Sequence, residues 1–234
     1  LPAVTVKEEV LKMLRHLDEE LKELHKEILK MAVFAQESIF KSVESLKNRD
    51  KCLAQQVIDN DNNIDELELA IDEKCIDLIA RYQPMAGDLR YITTGMKINT
   101  ELERIADIAL DISQKSLGLM DKPLLKPLVD IPKLSGVAQN MVHDVIDAFV
   151  KRDVYLARQV VLADSEADRL RNLVQDELVN EYLARDPKTA ERAVALLLIT
   201  RYLERICDHA TNIAEDVIYM VEAKVVKHHP EELK

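Results

Sequence analysis

Apolar residues recur along most of this chain at helical spacing, not in alternation. Leu53, Val57, Ile64, Leu67, Ile71 and Leu78 fall on one stripe, and Ile98, Leu102, Ile105 and Ile112 on another. Each stripe marks an amphipathic helix with one buried face. The prolines show where helices stop: Pro84, the cluster Pro123, Pro127 and Pro132, and Pro187 separate the periodic stretches. Asn48-Arg49-Asp50 and Lys151-Arg152-Asp153 are polar turns, each ending in an aspartate suited to cap the next helix. The pattern predicts six helices, at residues 5–47, 51–82, 87–117, 131–150, 154–184 and 188–226. Short connections favour antiparallel neighbours. The expected fold is therefore all-α, two tandem three-helix bundles over 1–118 and 131–234, joined by a Pro-containing linker at 119–130. Such bundles either share one continuous core or pack side by side with little between them.

The second half repeats the first. Arg49-Asp50, Ala54, Gln56, Val57, Asp61 and Asp65 reappear 103 positions later as Arg152-Asp153, Ala157, Gln159, Val160, Asp164 and Asp168. Leu102-Glu103-Arg104-Ile105 and Asp107 reappear 101 positions later as Leu203-Glu204-Arg205-Ile206 and Asp208. Any duplicated bundle repeats its apolar positions. Repeated acids at spacings of four mean that the unit carries chemistry or a contact surface as well as a fold.

Those acids form lines. Asp61, Asp65, Glu68 and Asp72 lie within about 60° of one another on a helical wheel, clear of the apolar stripe. Glu103, Asp107 and Asp111 form a second line opposite Ile98, Leu102, Ile105 and Ile112, and are expected to point away from the core. Like charges at i and i+4 disfavour a helix by a few tenths of a kcal/mol per pair, so a solvated acidic face is the plain reading of either stripe alone. Duplication favours more. Asp164 with Asp168, and Glu204 with Asp208 and Asn212, mirror the first set. Adjacent stripes would offer a cluster of oxygen ligands suited to Mg, Ca, Mn or Fe, without the Cys and His that zinc prefers. The second cluster is the weaker one: Arg171 and Gln175 replace Glu68 and Asp72, Asn212 replaces Asp111, and Arg171 is placed to repel a cation and to neutralise Asp164 or Asp168.

Composition narrows the remaining classes. Only 4 Gly and 4% aromatics suit long helices better than sheets. A net charge of −11 lacks the clustered Lys and Arg of a phosphate-binding nucleic-acid surface, so no DNA or RNA partner is expected. Cys52, Cys75 and Cys207 have no CxxC spacing and read as core thiols. Residues 1–20 show no signal-peptide core, and the apolar run Ala193–Ile199 is short enough for a buried helix, which implies a cytoplasmic protein. Val6, Val10, Leu11 and Leu14 read as one side of an amphipathic extension of the first helix, and His228 and His229 as a frayed tail. No Glu-x-x-His pair of a di-iron bundle, no Gly-rich phosphate loop and no nucleophile motif is present, so catalysis is not expected. His209, beside Asp208, is a candidate to complete the second cluster, although a lone helical histidine is more often a packing residue.

The doubled Leu-Glu-Arg-Ile-x-Asp, with Asn212-Ile213-Ala214-Glu215 after the second copy, resembles the PhoU family of phosphate-signalling regulators. The resemblance runs from Arg15 to Glu222. It takes in Arg15-His16-Leu17-Asp18-Glu19-Glu20-Leu21, the Arg49-Asp50 turn, the Asp61 to Asp65 block, and Gln83-Pro84 followed by Asp88-Leu89-Arg90. It implies two tandem three-helix bundles, and an E(D)xxxD motif in each repeat able to hold multinuclear metal clusters. By position the motif falls on Glu103 with Asp107 and on Glu204 with Asp208, extended by Asp111 and Asn212, with Asp61, Asp65, Asp164 and Asp168 as companion acids. It further implies a non-catalytic negative regulator of the phosphate regulon. Such a protein links the ATPase subunit of the Pst phosphate ABC transporter to a PhoR-type sensor histidine kinase, meets the membrane only through those partners, and forms a homodimer. Against this stand a metal-buffering helical bundle and a dimeric scaffold whose acids only keep it soluble.

Overall fold

The computed structural model describes residues 3–226, with side chains from Arg15 onward. The extension at Val6 to Leu14 and the histidines His228 and His229 lie outside the described side chains. Six helices carry the fold: α1 (Ala3–Asn48), α2 (Lys51–Tyr82), α3 (Ala86–Met120), α4 (Asp130–Lys151), α5 (Val154–Glu177) and α6 (Ala190–Glu222). The described residues form no strand.

The predicted turns behave alike in both halves. Asp50 accepts hydrogen bonds from the backbone N–H groups of Cys52 and Leu53, at 2.8 and 3.2 Å, and Asp153 accepts one from Leu156 at 3.0 Å. Each satisfies donors that the first helical turn leaves open. Before each cap, an arginine takes the left-handed conformation, Arg49 at φ 55° and Arg152 at φ 53°. That reverses the chain within two residues and sets α2 against α1 and α5 against α4.

Two elements depart from the prediction. The segment expected to close α5 as a regular helix widens into a π turn over Leu178–Leu183, where the Ala184 N–H reaches the Val179 carbonyl. Helix α6 ends at Glu222, because Ala223 adopts φ 55° and directs its N–H to the Tyr219 carbonyl. Both are end effects that side-chain periodicity does not encode.

In each half the three helices pack pairwise, and the halves join through α3 against α6 and α1 against α4. Of the two arrangements open from sequence, the structure adopts the shared core. Buried side chains run without a break from Ile28, Ile71 and Leu102 to Val145, Phe149, Leu203 and Ile206. Gly95 lets α3 approach α1: a Cβ there would stand 3.0 Å from Ile28 Cδ1. The linker is tied down by polar bonds. Arg49 donates to the carbonyls of Met120 and Lys122, Arg192 donates to that of Pro123, and Lys126 is buried against Glu177. In the run Ala193–Ile199, Ala193, Leu196 and Ile199 are buried while Val194 and Leu198 are exposed. No helix among the described residues is long and apolar enough to cross a membrane. Cys75 and Cys207 are core residues, but Cys52 is exposed, since the first turn of α2 projects beyond the bundle end.

Candidate metal centre and the seam between repeats

The up-down connection at Asp50 brings the acidic line of α2 beside that of α3. Asp61, Asp65 and Asp107 each offer a carboxylate oxygen, and the three atoms lie within 4.8 Å of one another. Glu103 stands one turn along α3 from Asp107. On α2, Glu68 and Asp72 continue the line, and the buried Asn99 amide donates to the Glu68 carbonyl at 2.9 Å and to Asp72 Oδ1 at 3.2 Å. The α3 line does not point clear of the bundle, as its helical wheel suggested. The Glu103 side chain is only 21% exposed and Asp107 41%, because α2 covers their flank.

Crowding raises the cost of ionising these groups. Burial, then the charge of Asp107, pushes Glu103 up to about 7, against the partial relief of Arg104. Burial and then Asp65 raise Asp107, burial and then Asp65 raise Asp61, and burial and then Asp72 raise Glu68. Arg104 is the nearby cation, yet its nitrogens stand 3.5 Å from Glu103 and 3.9 Å from Asp107, and its side chain is largely exposed. Three hard oxygen donors with surplus negative charge fit a hard divalent cation such as Mn or Mg.

The second repeat places Asp164, Asp168, Glu204 and Asp208 in the corresponding positions. Burial, then Asp208, pushes Asp164 up to about 6, and burial, then Asp208, raises Glu204. Among the described residues Asp164, Asp168 and Asp208 do not close into a triple like that of the first repeat. Arginines stand among them instead. Arg171 Nη2 lies 2.9 Å from Asp168 Oδ1 and 3.7 Å from Glu204 Oε1, and Arg201 Nη1 bonds the same Glu204 oxygen. The neutralisation expected of Arg171 thus falls on Asp168. This donor set, holding guanidinium groups of its own, does not fit a metal ion.

Asp111 and Asn212, the outermost residues of the two lines, leave the clusters. Both turn into the α3–α6 seam. Burial, then the Asp111 carboxylate, raises the Tyr202 hydroxyl, which also hydrogen-bonds Asp111. Asn212 Nδ2 donates to Glu101 Oε2 at 3.2 Å, and His209 Nδ1 lies 2.6 Å from the same oxygen. His209 is thus a partner of Glu101 and does not complete a cluster. Glu101 and Tyr202 are themselves repeat equivalents, 101 positions apart, as are Asp111 and Asn212. The two contacts are one contact seen twice about a local two-fold axis, the isologous arrangement of a symmetric dimer. That offset was the signal in the sequence for Glu101 and Tyr202, and their lack of a place on either acidic line hid them. His25, scattered in sequence, is 2.8 Å from the Tyr91 hydroxyl through Nδ1 and stacks against Phe149.

The arrangement defines a duplicated helical bundle with an acidic groove in one repeat and an arginine-closed groove in the other. The chain belongs to the PhoU family: the family model for the PhoU domain matches twice, over residues 28–116 and 131–217. A phosphate-specific transport system accessory protein PhoU homolog from Aquifex aeolicus is 41% identical over 91% of this chain and 96% of its own length. PhoU homolog 1 of Thermotoga maritima is 36% identical over 91% of each chain. The crystal structure of PhoU from Pseudomonas aeruginosa superposes with a TM-score of 0.85 at 35% identity, covering 88% of this chain and 99% of that one. The phosphate transport system regulatory protein PhoU from Streptococcus pneumoniae gives 0.83 at 25% identity, covering 90% and 99%.

Proposed function

We propose that this protein is an accessory of a phosphate-specific transport system, acting as a cytoplasmic negative regulator of phosphate uptake and of the phosphate regulon. The observation that carries this reading is the match of both repeats to the PhoU domain, with relatives named as accessory proteins of that transport system over nine-tenths of the chain. The action is by contact. When phosphate is plentiful, helix faces dock on the transporter ATPase subunit and on a PhoR-type sensor kinase, holding the kinase in its non-phosphorylating state. The long amphipathic helices also support self-association as a homodimer. A metal ion, held by Asp61, Asp65 and Asp107 with Glu103 alongside, would supply positive charge that neutralises the groove and tunes what it attracts.

A phosphate-regulon promoter reporter in phosphate-rich medium tests this. Deletion raises expression, wild type restores repression, and Glu103→Ala/Asp107→Ala reports whether the groove takes part. Unchanged expression on deletion would sink the regulatory reading. The metal-buffering reading, favoured by the carboxylate triple, would then lead if metal analysis finds stoichiometric cation.

A further inference from the structure

The two acidic grooves keep the same register but reverse their surroundings. Where the first repeat has Glu68, Asp72 and Thr100, the second has Arg171, Gln175 and Arg201. At matched positions one carboxylate gives way to a guanidinium, a second to a neutral amide, and a neutral hydroxyl to another guanidinium. The arginines sit on the buried end of the set: the Glu204 side chain is 7% exposed, and both guanidiniums converge on its Oε1, with Arg171 also holding Asp168. Arg171 is three-quarters buried, so it is a fixed part of the groove and not a screened surface charge.

We propose that the second repeat carries its cation within its own sequence, with Arg171 and Arg201 set on Asp168 and Glu204, the counterparts of Asp65 and Glu103, so that metal binding is confined to the groove of Asp61, Asp65 and Asp107. The inference rests on the metal reading of the first repeat. Arg171 performs the electrostatic task of an ion, tying a carboxylate of α5 to one of α6, and Arg201 adds a second positive charge at Glu204. Their positive charge repels an incoming cation, and Arg171 holds Asp168 Oδ1, the counterpart of an Asp65 oxygen in the first repeat. The protein responds to metal at one end and is fixed at the other. A change in metal supply alters the surface charge of α2 and α3 and leaves that of α5 and α6 as it was.

Metal-stripped wild type, Asp65→Asn/Asp107→Asn and Arg171→Glu/Arg201→Thr are each dialysed against Mn(II), and bound Mn and melting temperature are read. Wild type should take up Mn and melt several degrees higher with it, and Asp65→Asn/Asp107→Asn should hold none. In Arg171→Glu/Arg201→Thr, bound Mn should roughly double, and the metal-free melting temperature should fall several degrees, recovering on adding Mn. Mn retained at half the wild-type level by Asp65→Asn/Asp107→Asn would show the second repeat loading despite its arginines, overturning the inference while the metal reading stands. No Mn on any of the three proteins overturns the metal reading itself. An unchanged metal-free melting temperature on replacing the arginines overturns their role as internal cations. Arg171→Gln alone, which frees Asp168 Oδ1 and removes the cation shared with Glu204, provides the same readout if the double variant does not fold.

Discussion

Glu68 in the first repeat and Arg171 in the second occupy one position of one structural unit, and the molecule tolerates both. Around them the helix breaks, the caps and the buried stripes repeat, while the groove between the second and third helices of the second unit loses much of the negative charge of the first. Fold and groove are therefore specified by separate residues. Ile64, Ile71 and Leu102 need only be apolar and well packed, and so do Ala167, Val174 and Leu203. The groove-facing edge of the same helices is free to carry a carboxylate or its counter-ion.

If the shared core is as continuous as its contacts, Leu102→Ala and Leu203→Ala should each destabilise the whole protein by about 3 kcal/mol. Each variant should still melt in a single calorimetric transition. Two separated transitions in either variant would show that the repeats fold apart.

The grooves should differ in their response to pH in metal-free protein. Glu103 has a folded pKa of about 7, above its usual carboxylate range, so its favourable contribution is present below about pH 4.5 and is lost as pH rises through 7. Asp164, at about 6, loses its contribution over a lower window. Glu103→Gln should flatten the decline in stability up to pH 7, by on the order of 1 kcal/mol. Denaturant unfolding at stepped pH checks this, and a slope unchanged by the substitution would remove the assigned cause.

The caps differ between the repeats on a smaller scale. Asp50→Ala and Asp153→Ala should each cost about 1 kcal/mol, with Asp50 the larger because it accepts two N–H groups where Asp153 accepts one. Smallest of all, Lys74→Ala breaks a partly exposed tie to Glu27 that α5 does not reproduce, and should shift stability by no more than about 0.5 kcal/mol.

Much of this was legible before any coordinates. Helices and their breaks are written in local spacing and in proline, so five of the six predicted segments match within about four residues. The pairing of Asp61 and Asp65 with Asp107 followed from placing two acidic faces on neighbouring helices. What stayed hidden depends on which face of one helix meets which face of another far away in sequence. His209 and Asn212 find Glu101 across more than a hundred residues, and Asp111 turns toward Tyr202 for the same reason. Arg201 carries no signal in the sequence, because a lone arginine on a helix surface shows nothing of the buried glutamate three residues on. The burial of Glu103 likewise comes from a neighbouring helix that its own wheel does not contain.

The seam of α3 and α6 has the symmetry of two separate chains meeting, yet it lies inside one chain. In a true two-fold pair each substitution arrives on both sides at once, so an arginine entering one groove would enter the other. Tethering the copies through the residues around Pro123 lifts that restriction. One copy can exchange its acids for guanidiniums while the other keeps them, and the surface that holds the copies together need not change.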